Sequence, residues 1–290
     1  MTRDEAVAYI ERVDAAARRE FVVHSGTRVM WRRFGSGSPL LLLHGGHGSW
    51  LHWVRNICTL SASHELWIPD MPGFGDSDAL PPEAGLNELL ETLAANVNIL
   101  TRDAGSIALA GFSFGGLVAT HLASRLEQVS RLVLLGAAGH GGSRRQLAEL
   151  ANWRTCTSEA DLEAVMRSNL AIHMLSDPTA IDGLALEAHI RSCRRTRFRS
   201  RAISRRGGLA DALACCTMPT LLLWGENDVT VTPDETMVRL AALRPGVSGS
   251  TMSGAGHWVA FEAAEAVNKQ VSLWLSGAKA QSIPKCHATP

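Results

Sequence analysis

Residues 107–126 read IALAGFSFGGLVATHLASRL, and the fold is decided by how this stretch divides. Ile107–Ala110 is a short, continuously apolar run, the pattern of a strand buried on both faces of a sheet. Gly115–Leu126 is rich in small and apolar residues and reads as a helix. Between them, Gly111-Phe112-Ser113-Phe114-Gly115 matches G-x-S-x-G. A serine on so tight a strand-to-helix turn is held in a strained backbone conformation, so small neighbours are required, and Gly111 and Gly115 supply them. Gly116 lets the helix approach closely, and the helix N-terminus beneath the serine favours negative charge developing there.

The same alternation extends in both directions. Upstream, Phe21–His24 and Arg28–Phe34 flank Ser-Gly-Thr and read as a hairpin. Leu40–Leu43 and Leu66–Ile68 are further short strands, and Leu86–Leu100 carries an apolar face at helical spacing. Downstream, Arg131–Leu135, Thr220–Trp224 and Val247–Met252 read as strands, with helices over Pro233–Leu243 and Ala263–Leu275. Strands alternating with helices predict an α/β chain with a mostly parallel sheet covered on both faces. Residues 139–208 break the rhythm with helical patterns and no buried strand, too long for a loop, and read as a helical lid inserted into the core. The expected organisation is an N-terminal helix over 1–20, an α/β core over 21–138 and 209–276, the lid over 139–208, and a polar tail over 277–290. Thr2 caps the first helix, with Asp4 and Glu5 in its first turn, and that helix offers a face to its own domain or to a second subunit.

In open sheets of this kind ligands sit beyond the carboxyl ends of the strands, where three reactive residues fall. Ser113 is the nucleophile candidate, and a hydroxyl needs a base. His257, in Gly254-Ala255-Gly256-His257-Trp258 after the last strand, can reach across the sheet top. Its far nitrogen needs an anionic partner, and Asp228, in Trp224-Gly225-Glu226-Asn227-Asp228, is placed for it; Glu226 and Asp234 read as a turn residue and a first-turn helix acid. The order Ser113, Asp228, His257 differs from the chymotrypsin and subtilisin orders. Acyl transfer also needs oxyanion donors, expected from the backbone N–H groups of Phe114 and of Gly46 in His44-Gly45-Gly46. His44 reads as a brace for that loop. His44, His47 and His52 lack an accompanying carboxylate pattern, so no metal is expected.

Composition bounds the partners. The 290 residues hold 28 Lys+Arg against 28 Asp+Glu, which gives no excess positive charge for nucleic acid or an acidic membrane surface. No apolar run approaches the ~20 residues of a membrane span. The acidic start MTRDEAVAYIERVD does not resemble a signal peptide, and six Cys without metal spacing read as free thiols, so a cytoplasmic location is expected. The even balance conceals a skew: eight Arg fall between Arg191 and Arg206. Trp50, Phe114, Trp153, Phe198 and Trp258 are candidates for an apolar pocket wall.

HGG at 44–46, DMPGFGDS at 70–77, GFSFGG at 111–116, WGENDVTV at 224–231 and GAGHWVAFE at 254–262 together resemble the α/β-hydrolase fold family over about residues 21–275. The resemblance implies an eight-stranded sheet with a lid after the sixth strand, a structural role for Asp70, Gly73 and Gly75, and chemistry without a cofactor. A Ser at the elbow separates the chain from haloalkane dehalogenases and most epoxide hydrolases. The activity implied is hydrolysis of a small or medium carboxylic ester through an acyl-enzyme. HGGHGSWLHW followed by an Arg-rich lid is also similar to the carbon–carbon bond hydrolases of aromatic meta-cleavage pathways, in which a lid Arg binds the dienoate carboxylate. Arg197 and Arg199 are candidates for that part, although Phe112 departs from the polar residue common before the nucleophile there. A perhydrolase or acyltransferase would use the same triad, and a non-catalytic ligand-binding protein would keep the fold alone.

Overall fold

The computed structural model describes residues 1–145 and 148–277. Eight strands form one sheet: β1 (Arg18–His24), β2 (Thr27–Phe34), β3 (Ser38–Leu43), β4 (His64–Pro69), β5 (Ile107–Phe112), β6 (Val129–Leu135), β7 (Thr220–Gly225) and β8 (Val247–Met252). Their spatial order is β1-β2-β4-β3-β5-β6-β7-β8. β1 pairs antiparallel with β2 and β2 with β4, and every other pairing is parallel. All six residues of β5 and of β7 are buried, as strands covered on both faces require.

The helices are α1 (Arg3–Ala15), α2 (Ile57–Leu60), α3 (Leu86–Leu100), α4 (Phe114–Ala123), α5 (Glu159–His173), α6 (Gly183–Arg194), α7 (Ser200–Arg206), α8 (Leu209–Ala214), α9 (Pro233–Ala241), α10 (Val259–Glu262) and α11 (Ala264–Leu275). Helix α1 ends at Ala15, short of the expected Glu20, because Arg18–Glu20 join β1 in its ladder with β2. Its start is a reciprocal cap: Thr2 Oγ1 accepts from Glu5 N–H at 3.2 Å, and Glu5 Oε2 accepts from Thr2 N–H at 2.7 Å. Two apolar clusters fill the faces of the sheet. One lies against α3, α4, α8 and α9, and the other against α2, α5, α6, α10 and α11.

Helices α5, α6 and α7 lie in the stretch expected as a lid, while α8 packs on α4. Helix α1 docks on α6 of its own chain, burying Ala6 and Ile10, and Arg3 Nε donates to Glu187 Oε2 at 2.7 Å. The far end of α1 reaches the core, where Asp14 accepts from Arg32 at 2.6 Å. Arg32 is 2% exposed and also pairs with Asp70 at 2.9 Å and Asp76 at 2.5 Å. Burial alone would lower its pKa, but the three carboxylates outweigh that and hold it raised. The polar tail beyond Gly277 falls outside the described residues.

Candidate active site

The turn at Ser113 is built from close approaches. Ser113 has φ 51° and ψ −117°, a region that non-glycine residues seldom occupy. It is held there by its N–H donating to Leu135 O and by its own carbonyl accepting from Ala138 N–H, each at 2.9 Å. A Cβ on Gly111 would stand 2.2 Å from Gly115 O, and one on Gly115 would stand 2.2 Å from Leu43 O. The two glycines are therefore fixed by space, since real Cβ atoms do not come so close.

His257 and Asp228 converge on this turn from the ends of β8 and β7. His257 Nε2 lies 3.0 Å from Ser113 Oγ, and His257 Nδ1 donates to Asp228 Oδ2 at 2.8 Å. Asp228 is fully buried, and His257 is 4% exposed. Burial alone would raise the Asp228 carboxyl. The His257 charge, with hydrogen bonds from His257 and Thr230, outweighs it and holds the pKa below the ordinary value. Glu226 lies elsewhere: it accepts from Ser253 Oγ at 2.9 Å and Gly254 N–H at 3.0 Å, tying the acid loop to the histidine loop. Asp234 sits in the first turn of α9.

Two supporting residues escaped the sequence reading. Thr230 donates to Asp228 Oδ1 through its N–H at 2.8 Å and its hydroxyl at 2.7 Å. The Asp-x-Thr spacing, two apart in a turn, is the signal that could have found it. Arg145 threads the acid loop, donating to the carbonyls of Glu226 at 2.7 Å, Asp228 at 2.8 Å and Val231 at 2.9 Å. Nothing in the local sequence marks that contact.

The loop after β3 is fixed on both sides of Gly45. His44 Nδ1 donates to Gly45 O at 2.8 Å while its Nε2 accepts from Met71 N–H at 3.0 Å, and Gly45 N–H donates to His52 Nδ1 at 3.1 Å. Burial lowers the pKa of both imidazoles, which keeps them neutral at pH 7 and suited to accept as well as donate. Among the described residues, neither Gly46 N–H nor Phe114 N–H has a backbone acceptor, and Ser200 Oγ would stand 2.5 Å from a Cβ on Gly46. No group of three or more His, Cys, Asp or Glu among the described residues is placed to hold a metal ion.

Ser113, His257 and Gly46 open into one cavity of about 340 Å³, which Trp153 and residues of α5, α6 and α7 also line. Four arginines line it: Arg144, Arg154, Arg201 and Arg205. The arginines expected there do not. Arg197 turns instead to the 73–77 loop, donating to the carbonyls of Ser77 and Gly75, and its own N–H is pinned to Gly73 O at 2.8 Å. Arg199 precedes α7 and is exposed outside the cavity. The expected wall is also corrected at four of its five aromatics. Phe114 is fully buried against Phe74 and Phe198. Trp50 stacks beneath the Arg32 guanidinium, 4.8 Å from its ring centroid. Phe198 packs on Phe74 and on the ring of Phe114. Trp258 stacks on Phe261 at 4.3 Å and donates its indole N–H to His52 O at 3.0 Å. Each is consumed by core packing. His173, at the end of α5, is a lining residue the sequence did not mark; its ring lies 5.3 Å from that of His257.

Known proteins agree with this architecture. Residues 40–270 match the alpha/beta hydrolase family. A 2-hydroxy-6-oxo-2,4-heptadienoate hydrolase of Pseudomonas putida is 30% identical over 261 residues, covering 83% of this chain and 90% of the relative. Carboxylesterase YbfK of Bacillus subtilis is 25% identical over 248 residues, covering 82% and 80%. The solved esterase RhEst1 of a Rhodococcus species superposes with a TM-score of 0.73 over 91% of this chain and all of its own, at 23% identity, a likeness of fold. The chain belongs to the alpha/beta hydrolase family.

Proposed function

We propose that this member of the alpha/beta hydrolase family is a serine hydrolase that cleaves a small or medium carboxylic ester through an acyl-enzyme. The observation carrying the proposal is the unbroken path from Ser113 Oγ to His257 at 3.0 Å and from His257 to Asp228 at 2.8 Å, at the floor of a ligand-sized cavity. Ser113 attacks the carbonyl as His257 takes its proton. Asp228 keeps the imidazole in the tautomer whose Nε2 faces the serine, and stabilises its charged form. The Gly46 and Phe114 N–H groups receive the oxyanion. His257 then protonates the leaving alkoxide, and a water deprotonated by His257 releases the acid. No step requires a cofactor. A fluorophosphonate probe tests this directly: the native protein should label, and Ser113→Ala should not. Absent labelling, or equal labelling of the variant, overturns it.

A second reading is favoured by the four arginines of the cavity wall. They suit a substrate with a carboxylate, and so a carbon–carbon bond hydrolase acting on a dienoate, as the name of the Pseudomonas putida relative describes that protein. There His257 would first help tautomerise the substrate. A panel of neutral esters and dienoates with purified protein separates the two, since only one class should turn over efficiently.

A further inference from the structure

Six of the eight arginines in the arginine-rich run fall into two populations. Arg191 pairs with Glu187 at 2.6 Å, Arg194 with Glu159, Arg195 with Asp76, and Arg197 with the carbonyls of Gly75 and Ser77. These hold the lid to itself and to the 70–78 loop. Arg201 and Arg205 have no ion-pair partner among the described residues. They stand four apart on α7, one turn from each other, and both line the cavity. Like charges at that spacing repel, and no acid relieves them.

Arg144 and Arg154 extend the group from the segments before α5. Arg144 is half-buried, and its guanidinium pKa is lowered by burial and then by the charge of Arg205. Arg154, Arg201 and Arg205 are exposed at the rim. Among the described residues, no Asp or Glu lines the cavity; its other polar walls include Ser200, Ser204, Asn152 and Asn169. The acid whose charge acts on Arg144 is Asp228, whose oxygens are already taken by His257 and Thr230. His140, His173 and His189 have lowered pKa values and add no positive charge at pH 7, and His47 is lowered by burial and by Arg154 and Arg201. A concave mouth with one sign of charge concentrates its field on an incoming anion.

We propose that this rim binds the end of the substrate remote from the reacting carbonyl, and that this end carries two negative charges. One carboxylate accepts one guanidinium fork well and a second less well. A singly charged ligand would therefore leave two or more of the four cations unanswered. Two carboxylates, or one phosphate-type group, supply the oxygens and the charge that Arg144, Arg201 and Arg205 lack. The inference takes the position of the carbonyl from the hydrolase reading, but the anion site can be measured without turnover.

The experiment is calorimetric titration of the full-length Ser113→Ala protein with butyrate, succinate and propyl phosphate at low ionic strength. Succinate or propyl phosphate should bind about tenfold or more tightly than butyrate, and the gap should shrink at high salt. Tighter succinate means two separate carboxylates; tighter propyl phosphate means one doubly charged group. In Arg201→Gln/Arg205→Gln, with its fold verified by thermal unfolding, the gap should close to about twofold. Equal binding of all three ligands, or a gap unchanged in the double variant, overturns the proposal. Failure of fluorophosphonate labelling with the gap intact would remove the hydrolase reading and leave the anion site standing. Successful labelling with no gap would do the reverse.

Discussion

Thr230 hydrogen-bonds the same oxygen of Asp228 twice, through its N–H and its hydroxyl, which leaves Oδ2 free to face His257 alone. Asp228 is thus aimed by a neighbour two residues away. Thr230→Val removes the hydroxyl bond while keeping shape. Turnover should fall by about tenfold and stability by about 1–2 kcal/mol, read from kcat and from the urea midpoint. Unchanged kcat would mean that the Arg145 contacts alone suffice to aim Asp228.

Asp228→Asn keeps the size of the side chain and removes its charge. The fold should survive, by circular dichroism, while kcat falls by about 10⁴ because the imidazole loses its correct tautomer. Near-normal turnover would mean that another acid orients His257.

Two glycines should respond differently to a methyl group. At Gly115 a Cβ would meet the rigid backbone oxygens of Leu43 and His44 at 2.2 and 2.4 Å, so Gly115→Ala should cost about 3 kcal/mol or prevent folding. At Gly46 the first obstacle is the Ser200 hydroxyl at 2.5 Å, which can rotate away. Gly46→Ala should therefore fold with a near-native melting temperature and lose activity.

Arg32→Met should destabilise the protein by about 3–5 kcal/mol, because it strands the buried Asp70 without its cation. Restoring stability in Arg32→Met/Asp70→Asn would show that the uncompensated charge is the cause. The measurement is denaturant unfolding of the two variants beside the native protein.

Acid should weaken the fold well above the carboxylate range. Burial lowers His173 to about 3 and His140 and His189 to about 4. In the unfolded chain a histidine titrates near ~6.5. Between these values the unfolded state holds more protons, so stability falls as pH drops from about 6.5 toward 4, by at most ~1.4 kcal/mol per pH unit for each group. His189→Gln should flatten the decline between pH 7 and 5, measured as the shift in urea midpoint. An identical slope would mean that His189 is protonated without cost.

The eight strands and the turn at Ser113 were legible because each depends on short-range pattern. A run such as Thr220–Trp224 has only one place in a sheet covered on both faces, and the glycines around Ser113 announce a backbone that tolerates no Cβ. Asp228 could be placed because it follows the apolar strand β7, and His257 because it sits in a glycine-bearing loop after the last strand. The helices between β6 and β7 were readable in the sequence, and the orientation of their side chains was not. Arg197 and Arg201 look alike in sequence. One is turned to the 73–77 loop because Gly73 holds its backbone, and the other faces the cavity because α7 starts at Ser200. Trp50 and Trp258 were misjudged for a similar reason: an aromatic ring declares its area, while the partner that consumes it lies far away in sequence.

All four arginines of the cavity lie between β6 and β7, while Ser113, Asp228 and His257 lie outside that segment. On the proposed reading, reactivity and selectivity are carried on separate lengths of chain. Substitutions that accumulate in the insert can change what is admitted without disturbing the reacting groups, and a recombination event with both ends near Ala138 and Leu209 could exchange the selecting part whole. A lineage built this way can diversify its diet while inheriting its chemistry unchanged.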